Sequence, residues 1–513
     1  MDTITLTPDT TLSAADVVAV ARHGAPIGLS DATLDAVEAG REVVRALAAR
    51  PDPVYGVSTG FGALATRHIA PADRERLQRS LIRSHAAGSG PEVEVEVTRA
   101  MALLRLRTLA TGRTGVRCEV VKLLAGLLNA HLTPVVHEYG SLGCSGDLAP
   151  LAHVALALMG EGHVRTPDGE LAPADRALAA AGLQPLTLQA KEGLALINGT
   201  DGMLGMLLLA CADLDRLLRT ADITAAMSVE ALLATDRVFA ADLQAIRPHA
   251  GQAASAANLR RLLAGSPIMD SHRTPDCTRV QDAYSLRCSP QVHGAARDTV
   301  AHARSVADIE LVSIIDNPVV MPDGRVESNG NFHGAPVAYV LDFLAIAAAD
   351  VASIAERRTD RMLDATRSGG LPPFLADDPG VDSGHMIGQY TQAGLVSEMK
   401  RLAVPASVDS IPSSAMQEDH VSMGWGAARK LRRSVDALTQ VLAVEAITAA
   451  RALDLRAPLT PGPGTDAARR LLRTRVEGPG PDRHLAPEIA AATQLIATGA
   501  LLDAVQPVIG PLD

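Results

Sequence analysis

The chain has 513 residues and a formal net charge of −11, which argues against nucleic acid or an anionic membrane surface as a main partner. Hydrophobic residues make up 47% of it and aromatic residues only 2%, so a large core must be built mostly from Ala, Leu, Val and Ile, which suits closely packed helices. The length allows roughly three domains, or fewer if long helices share one core.

The opening "MDTITLTPDT" is polar and has no basic segment, so it does not read as a secretory signal. Ser13 is a candidate N-cap for "AADVVAVARHG", with Gly24 as its stop, and Ser30 can cap "DATLDAVEAGREVVRALAAR". Gly- and Pro-rich stretches punctuate the first half: "PDPVYGVSTGFG", "AAGSGPE", "HEYGSLGCSGD" and "RTPDGELAPAD". Long helices are predicted around 192–219, 291–313, 334–364, 382–404 and 424–455, as in an extended bundle. "DGRVESNGNF" reads as one short hairpin, and "LTPGPGTDAARR" as a linker before a C-terminal helical stretch. The expected class is mostly α. An N-terminal loop-rich helical domain over 1–110 carries a Tyr loop, and a long-helix bundle covers 111–513. The run "GMLLLACADLDRLL" is broken by Asp213 and Asp215, so no membrane span is expected. The five cysteines, Cys118, Cys144, Cys211, Cys277 and Cys288, are widely spaced and form no CxxC. They suggest a reducing, cytoplasmic setting rather than a disulfide framework.

Polar stretches interrupt this helical pattern. "YGVSTGFG", Tyr55 to Gly62, lacks the Gly-Lys-Ser/Thr ending of a phosphate loop and alone reads as a turn. His85 in "SHAAGSG" alone reads as structural. "EGLALINGTDG" sets Asn198-Gly199-Thr200 inside an apolar helix pattern, which is unfavourable unless these polar groups find partners. "QDAYSLRCSPQ" supplies Gln281, Tyr284 and Arg287, and an arginine can clamp a carboxylate. Asn317 in "DNPVV" and Phe332 in "NGNFHGAPVAY" lie in loops entering a helix, while "QEDH", with Glu418, reads as a charged first helical turn. A zinc site is poorly supported, since there is no HExxH. In "GSLGCSGDLAP", Cys144 could be a nucleophilic thiol, but no GxSxG surrounds Ser145.

Together "YGVSTGFG", "SHAAGSG", "GSLGCSGDLAPLAH", "EGLALINGT", "QDAYSLRC", "DNP", "NGNFHG", "FLAIAAADVASIAERRTDRMLD" and "QEDHVSM" resemble the histidine ammonia-lyases, of the class I lyases that carry a 4-methylidene-imidazol-5-one (MIO) group. These pieces stand in family order from about residue 50 to 425. The resemblance implies a mostly helical subunit with a central bundle, and a homotetramer whose active sites draw loops from more than one subunit. It implies non-oxidative deamination of L-histidine to trans-urocanate and ammonia, with no metal and no external cofactor.

The family's MIO group would form from Cys144-Ser145-Gly146. The Gly146 nitrogen attacks the Cys144 carbonyl carbon, two waters leave, and Ser145 becomes a methylidene. Glycine suits the attack because it has no Cβ, and Cys144 contributes a carbonyl while its side chain hangs from the ring. By motif, Tyr55 is the candidate base for the β-proton. Asn198 and Tyr284 contact the ring and the substrate amine, Arg287 holds the carboxylate with Gln281 and Asn317 in support, and Phe332 lines the pocket. His85 and Glu418 would bond the polar ring of histidine. Asp147 is expected to cap the helix that follows it. Ser58, Ala283, Ser289, His293 and Gly334-Ala335 depart from the commoner family pattern. Alternatives are a phenylalanine or tyrosine ammonia-lyase or aminomutase on the same scaffold, a fumarase/aspartase-type lyase, a catalytically silent helical scaffold, and a thiol enzyme using Cys144.

Overall fold

The computed structural model describes residues 2–50, 53–273 and 280–513, so Cys277 lies outside the described residues. Helix is the dominant element at 59%, against 6% strand. Ser13 opens the helix Ala14–His23 with a reciprocal capping box to Asp16, and Gly24 ends it in the left-handed conformation at φ 67°. Ser30 likewise accepts from the Thr33 N–H at the start of Asp31–Ala48.

The long helices are Asp201–Ala231, Ser289–Val312, Ala335–Leu363, Met386–Leu402 and Gly424–Asp454. The helix expected over 192–219 is broken: Glu192–Ile197 ends at Asn198, and a new helix starts at Asp201. The hairpin is present, with Val319–Val320 paired antiparallel to Val326–Glu327. The stretch read as a linker already holds the first turns of Pro463–Leu472, with proline in the first turn where its missing N–H does no harm.

The described chain divides into two compact units that are discontinuous in sequence. One comprises Met1–Leu209, Arg304–Asp342 and Pro405–Arg429; the other comprises Ala210–Ala303, Phe343–Val404 and Lys430–Asp513. The sequence pattern suggested one cut after residue 110, which falls inside the first unit. Long helices run on through the unit boundaries, so a single cut in sequence does not describe contact compactness.

Among the described residues two helical stretches are long and apolar enough to cross a bilayer by length and composition, Glu192–Ala231 and Ala335–Leu363. Asp213 and Asp215 do not prevent this. The apolar window of the first is wholly buried within the protein and that of the second two-thirds buried, and a helix apolar on all sides is what a core requires.

The second unit is organised around buried polar groups. Arg358 and Glu445, both fully buried, form an ion pair to which Thr224 and Ser228 also donate. Arg358 also donates to Ser289 Oγ. Buried Asp222 accepts from Ser255, Asn258, His293 and Arg297. Two of the departures from the family pattern, Ser289 and His293, are therefore partners in these clusters. Removing one member of a buried pair leaves the other charge uncompensated. Glu445→Ala should lower unfolding stability by about 3–5 kcal/mol, whereas the paired change Arg358→Met with Glu445→Leu should be milder; denaturant unfolding of both proteins checks this.

Candidate active site

Cys144-Ser145-Gly146 lies just before the helix Leu148–Leu158. Its surroundings are set by Asp147, which is fully buried. Asp147 occupies the N-cap position of Leu148–Leu158 but makes no side-chain cap bond there. Its carboxyl instead accepts from the N–H groups of Gly202 and Met203, each at 2.9 Å, and from Ser141 Oγ at 2.9 Å. It thus caps Asp201–Ala231 rather than its own helix, a correction to the sequence reading. The first N–H groups of a helix need such a partner from somewhere.

The tripeptide is also bound to the break at Asn198–Thr200. Asn198 Nδ2 donates to the Ser145 carbonyl at 2.9 Å, and the Asp147 N–H donates to the Gly199 carbonyl at 2.7 Å. Gly146 sits at φ +76°, where a Cβ would meet the Gly199 carbonyl oxygen at 2.2 Å. Only glycine fits there. The polar interruption in the apolar helix therefore has its partners in the tripeptide loop.

A cavity of about 900 Å³ opens over Ser145. Cys144, Ser145, Tyr55, His85, Asn198, Asn317, Phe332 and Glu418 all line it. The structure thus brings together eight of the twelve sequence-assigned residues, and Gly146 adjoins them through the backbone. Gln281, Tyr284 and Arg287 are not among its lining residues. They belong to the second unit, where Tyr284 is 71% exposed and the Arg287 guanidinium lies 4.8 Å from its ring centroid.

Glu418 is not in a helical turn, contrary to the sequence reading. It lies in a loop before Gly424–Asp454 and pairs across an isolated bridge with Ser413. Between them Ser414, Ala415 and Met416 all have positive φ, at 51°, 53° and 68°, a conformation that is strained for residues with a Cβ. Glu418 Oε1 accepts from Ser145 Oγ at 3.0 Å. Its Oε2 accepts from Ser413 Oγ at 2.8 Å and from Cys144 Sγ at 3.2 Å. Ser413 was missed in the sequence, as was the capping direction of Asp147.

The Tyr55 oxygen accepts from the Gly62 N–H at 3.3 Å. His85 Nδ1 lies 2.9 Å from the Leu81 carbonyl oxygen. Burial lowers the His85 pKa, against the Leu81 hydrogen bond and the charge of Glu418, which favours a neutral imidazole. Burial, the Glu418 charge and the hydrogen bond to it push the Cys144 thiol up to about 12. A thiol so firmly protonated is a poor nucleophile, which weighs against the thiol-enzyme alternative. Among the described residues no cluster of His, Cys, Asp and Glu could hold a metal ion.

A family model for aromatic amino acid lyases matches residues 12–474. The chain belongs to the aromatic amino acid lyase family. Curated members of this family include histidine ammonia-lyase of Streptomyces coelicolor, 66% identical over 98% of both chains. Histidine ammonia-lyase of Sorangium cellulosum is 51% identical over 98% of this chain and 99% of its own. Among solved structures, tyrosine aminomutase from Streptomyces globisporus superposes with a TM-score of 0.92 at 37% identity, covering 98% of this chain and 99% of that one.

Burial pushes the Asp147 carboxyl up to about 7, opposed by its hydrogen bonds from Met203, Ser141 and Gly202. A carboxyl whose pKa is higher folded than unfolded holds its proton in the native state over a range where the unfolded chain has lost it. Its stabilising contribution is therefore full below the unfolded value and falls as pH rises to about 7. Asp147→Asn should remove this contribution. Unfolding curves from pH 4 to 8 should show the wild type losing stability relative to the variant as pH rises.

Proposed function

We propose that this chain deaminates L-histidine to trans-urocanate and ammonia, using an MIO group formed from Cys144-Ser145-Gly146. The observation that carries the reading is Glu418, a carboxylate 3.0 Å from Ser145 Oγ in a cavity also lined by His85. A carboxylate and a neutral imidazole suit the ring nitrogens of histidine, and they would be left unpaired by phenylalanine. The identity to histidine ammonia-lyases supports the same substrate.

The residues present fit the group. Gly146 has no room for a side chain, Ser145 offers a hydroxyl that can be eliminated, and Asn198 holds the Ser145 carbonyl oxygen. Asn198 Oδ1 is buried without a hydrogen-bond partner among the described residues, leaving an acceptor for a substrate ammonium. When present, the group supplies an electrophile that bonds the substrate amine and makes ammonia a better leaving group. Tyr55 takes the β-proton on the oxygen that faces the Gly62 N–H. Asn317 supports the substrate carboxylate and Phe332 packs on its carbon skeleton. The positive end of Leu148–Leu158 faces the tripeptide and favours negative charge developing there.

Among the described residues the lining includes no Arg or Lys, yet an amino acid carboxylate needs a cation. We assign that role to Arg287, supplied with Tyr284 and Gln281 by another copy of the chain in a homotetramer. The free thiols of Cys118, Cys144 and Cys288 are compatible with a cytoplasmic setting.

The second reading, a tyrosine ammonia-lyase or aminomutase, is favoured by the likeness to tyrosine aminomutase. Turnover of histidine, tyrosine and phenylalanine separates the two. Histidine should be consumed, with kcat/KM about 10⁴-fold above that for phenylalanine; turnover of tyrosine but not histidine sinks the first reading. Intact mass spectrometry should find a chain lighter by two waters. Cys144→Ala should keep that mass loss and substantial activity, whereas Ser145→Ala should lose both.

A further inference from the structure

The three hydrogen bonds to Glu418 are divided unequally between its oxygens. Oε2 takes two donors, Ser413 Oγ at 2.8 Å and Cys144 Sγ at 3.2 Å, while Oε1 takes only Ser145 Oγ at 3.0 Å. The Ser145 hydroxyl is the group eliminated when the ring forms. Its loss removes the one donor on Oε1 and leaves both donors on Oε2.

We propose that Ser413 and Cys144 are positioning residues. They clamp Glu418 through Oε2, so that maturation frees Oε1, and only Oε1, to accept from the ring nitrogen of histidine. This rests on the reading of histidine as substrate. It gives a role to a cysteine side chain that ring formation itself does not use.

Two features beyond the hydrogen bonds support the clamp. The backbones of residues 413 and 418 bond each other in both directions, the Ser413 N–H to the Glu418 carbonyl at 3.0 Å and the Glu418 N–H to the Ser413 carbonyl at 3.3 Å. The intervening Ser414, Ala415 and Met416 are all held at positive φ. A strained turn closed by its own residues carries the carboxylate, and a strained segment persists only where its surroundings over-determine it. The second feature is burial: Cys144 is 7% exposed. A buried S–H has little water to bond instead, so its weak donor is directed to the Glu418 carboxylate.

The test compares Cys144→Ala, Cys144→Ser, Cys144→Val and Ser413→Ala with the wild type. All should mature, as shown by loss of two waters in the intact mass. In Cys144→Ala and Ser413→Ala the KM for histidine should rise about three- to tenfold with kcat within about twofold, as expected for a lost hydrogen bond to a charged group. Cys144→Ser, which restores a donor, should recover most of that loss. Cys144→Val, which fills the space without a donor, should not. An unchanged KM in Cys144→Ala, or rescue by valine and not by serine, overturns the proposal.

A second measurement needs no substrate. Alkylation of Cys144 by iodoacetamide, followed on the peptide containing residues 140–150, should be slow in the wild type and at least several-fold faster in Glu418→Gln. That variant leaves the burial of the thiol in place but removes the charge that adds to it in holding the proton. An equal rate in both proteins overturns the clamp even if histidine proves not to be the substrate. Failure on histidine together with faster alkylation would overturn only the substrate reading.

Discussion

The site depends on one buried carboxyl. Asp147 spans two structural elements: its backbone opens Leu148–Leu158, and its side chain satisfies the first free N–H groups of Asp201–Ala231. Those N–H groups exist because the apolar helix beginning at Glu192 stops at Asn198 and restarts. The break would leave orphan donors in the core. With Asp147 in place it becomes a fixed ledge: Asn198 donates to the Ser145 carbonyl, and the Gly199 carbonyl accepts from the Asp147 N–H. The left-handed Gly146 and the interrupted helix are therefore one feature seen from two segments of the chain.

Burial also bears on the chemistry open to the tripeptide. The same desolvation that holds a proton on Asp147 holds one on the Cys144 thiol, where the Glu418 charge adds to it. Thiolate chemistry is thereby suppressed at the residue whose side chain first suggests it. What stays available is the backbone: the Cys144 carbonyl, the Gly146 nitrogen, and a Ser145 hydroxyl with a carboxylate beside it.

Much of this was legible in the sequence because it depends on local rules. Ser13, Gly24 and Ser30 act as helix boundaries through contacts within a few residues of themselves. The polar triplet at Asn198 was legible as an anomaly, since buried polar groups require partners. Its partner was not, because residues 145 and 198 are brought together only by the fold. The same limit explains Asp147. An acidic residue before an apolar run reads as the cap of that run, and nothing local reveals that a different helix takes its carboxyl. Glu418 was singled out, but as part of a helical turn, whereas it lies in a loop that lines the cavity. The left-handed run at Ser414–Met416 is invisible to residue preferences, because none of those residues favours positive φ.

The charges of the cavity bear on assembly as well as on chemistry. Among the described residues its lining includes the carboxylates Glu418 and Asp419 and neither Arg nor Lys. The two carboxylates favour an ammonium group over a second carboxylate. On the proposed reading, a cation from outside this set of residues would hold the second end of an amino acid. Arg287 suits that role. It stands at the end of the short helix Tyr284–Arg287, stacked on an exposed tyrosine, and its buried Nε has no hydrogen-bond partner among the described residues. Under that proposal one chain would supply the electrophile and the ring acceptor, and another the carboxylate clamp. Association of subunits would thus be a condition of substrate binding itself.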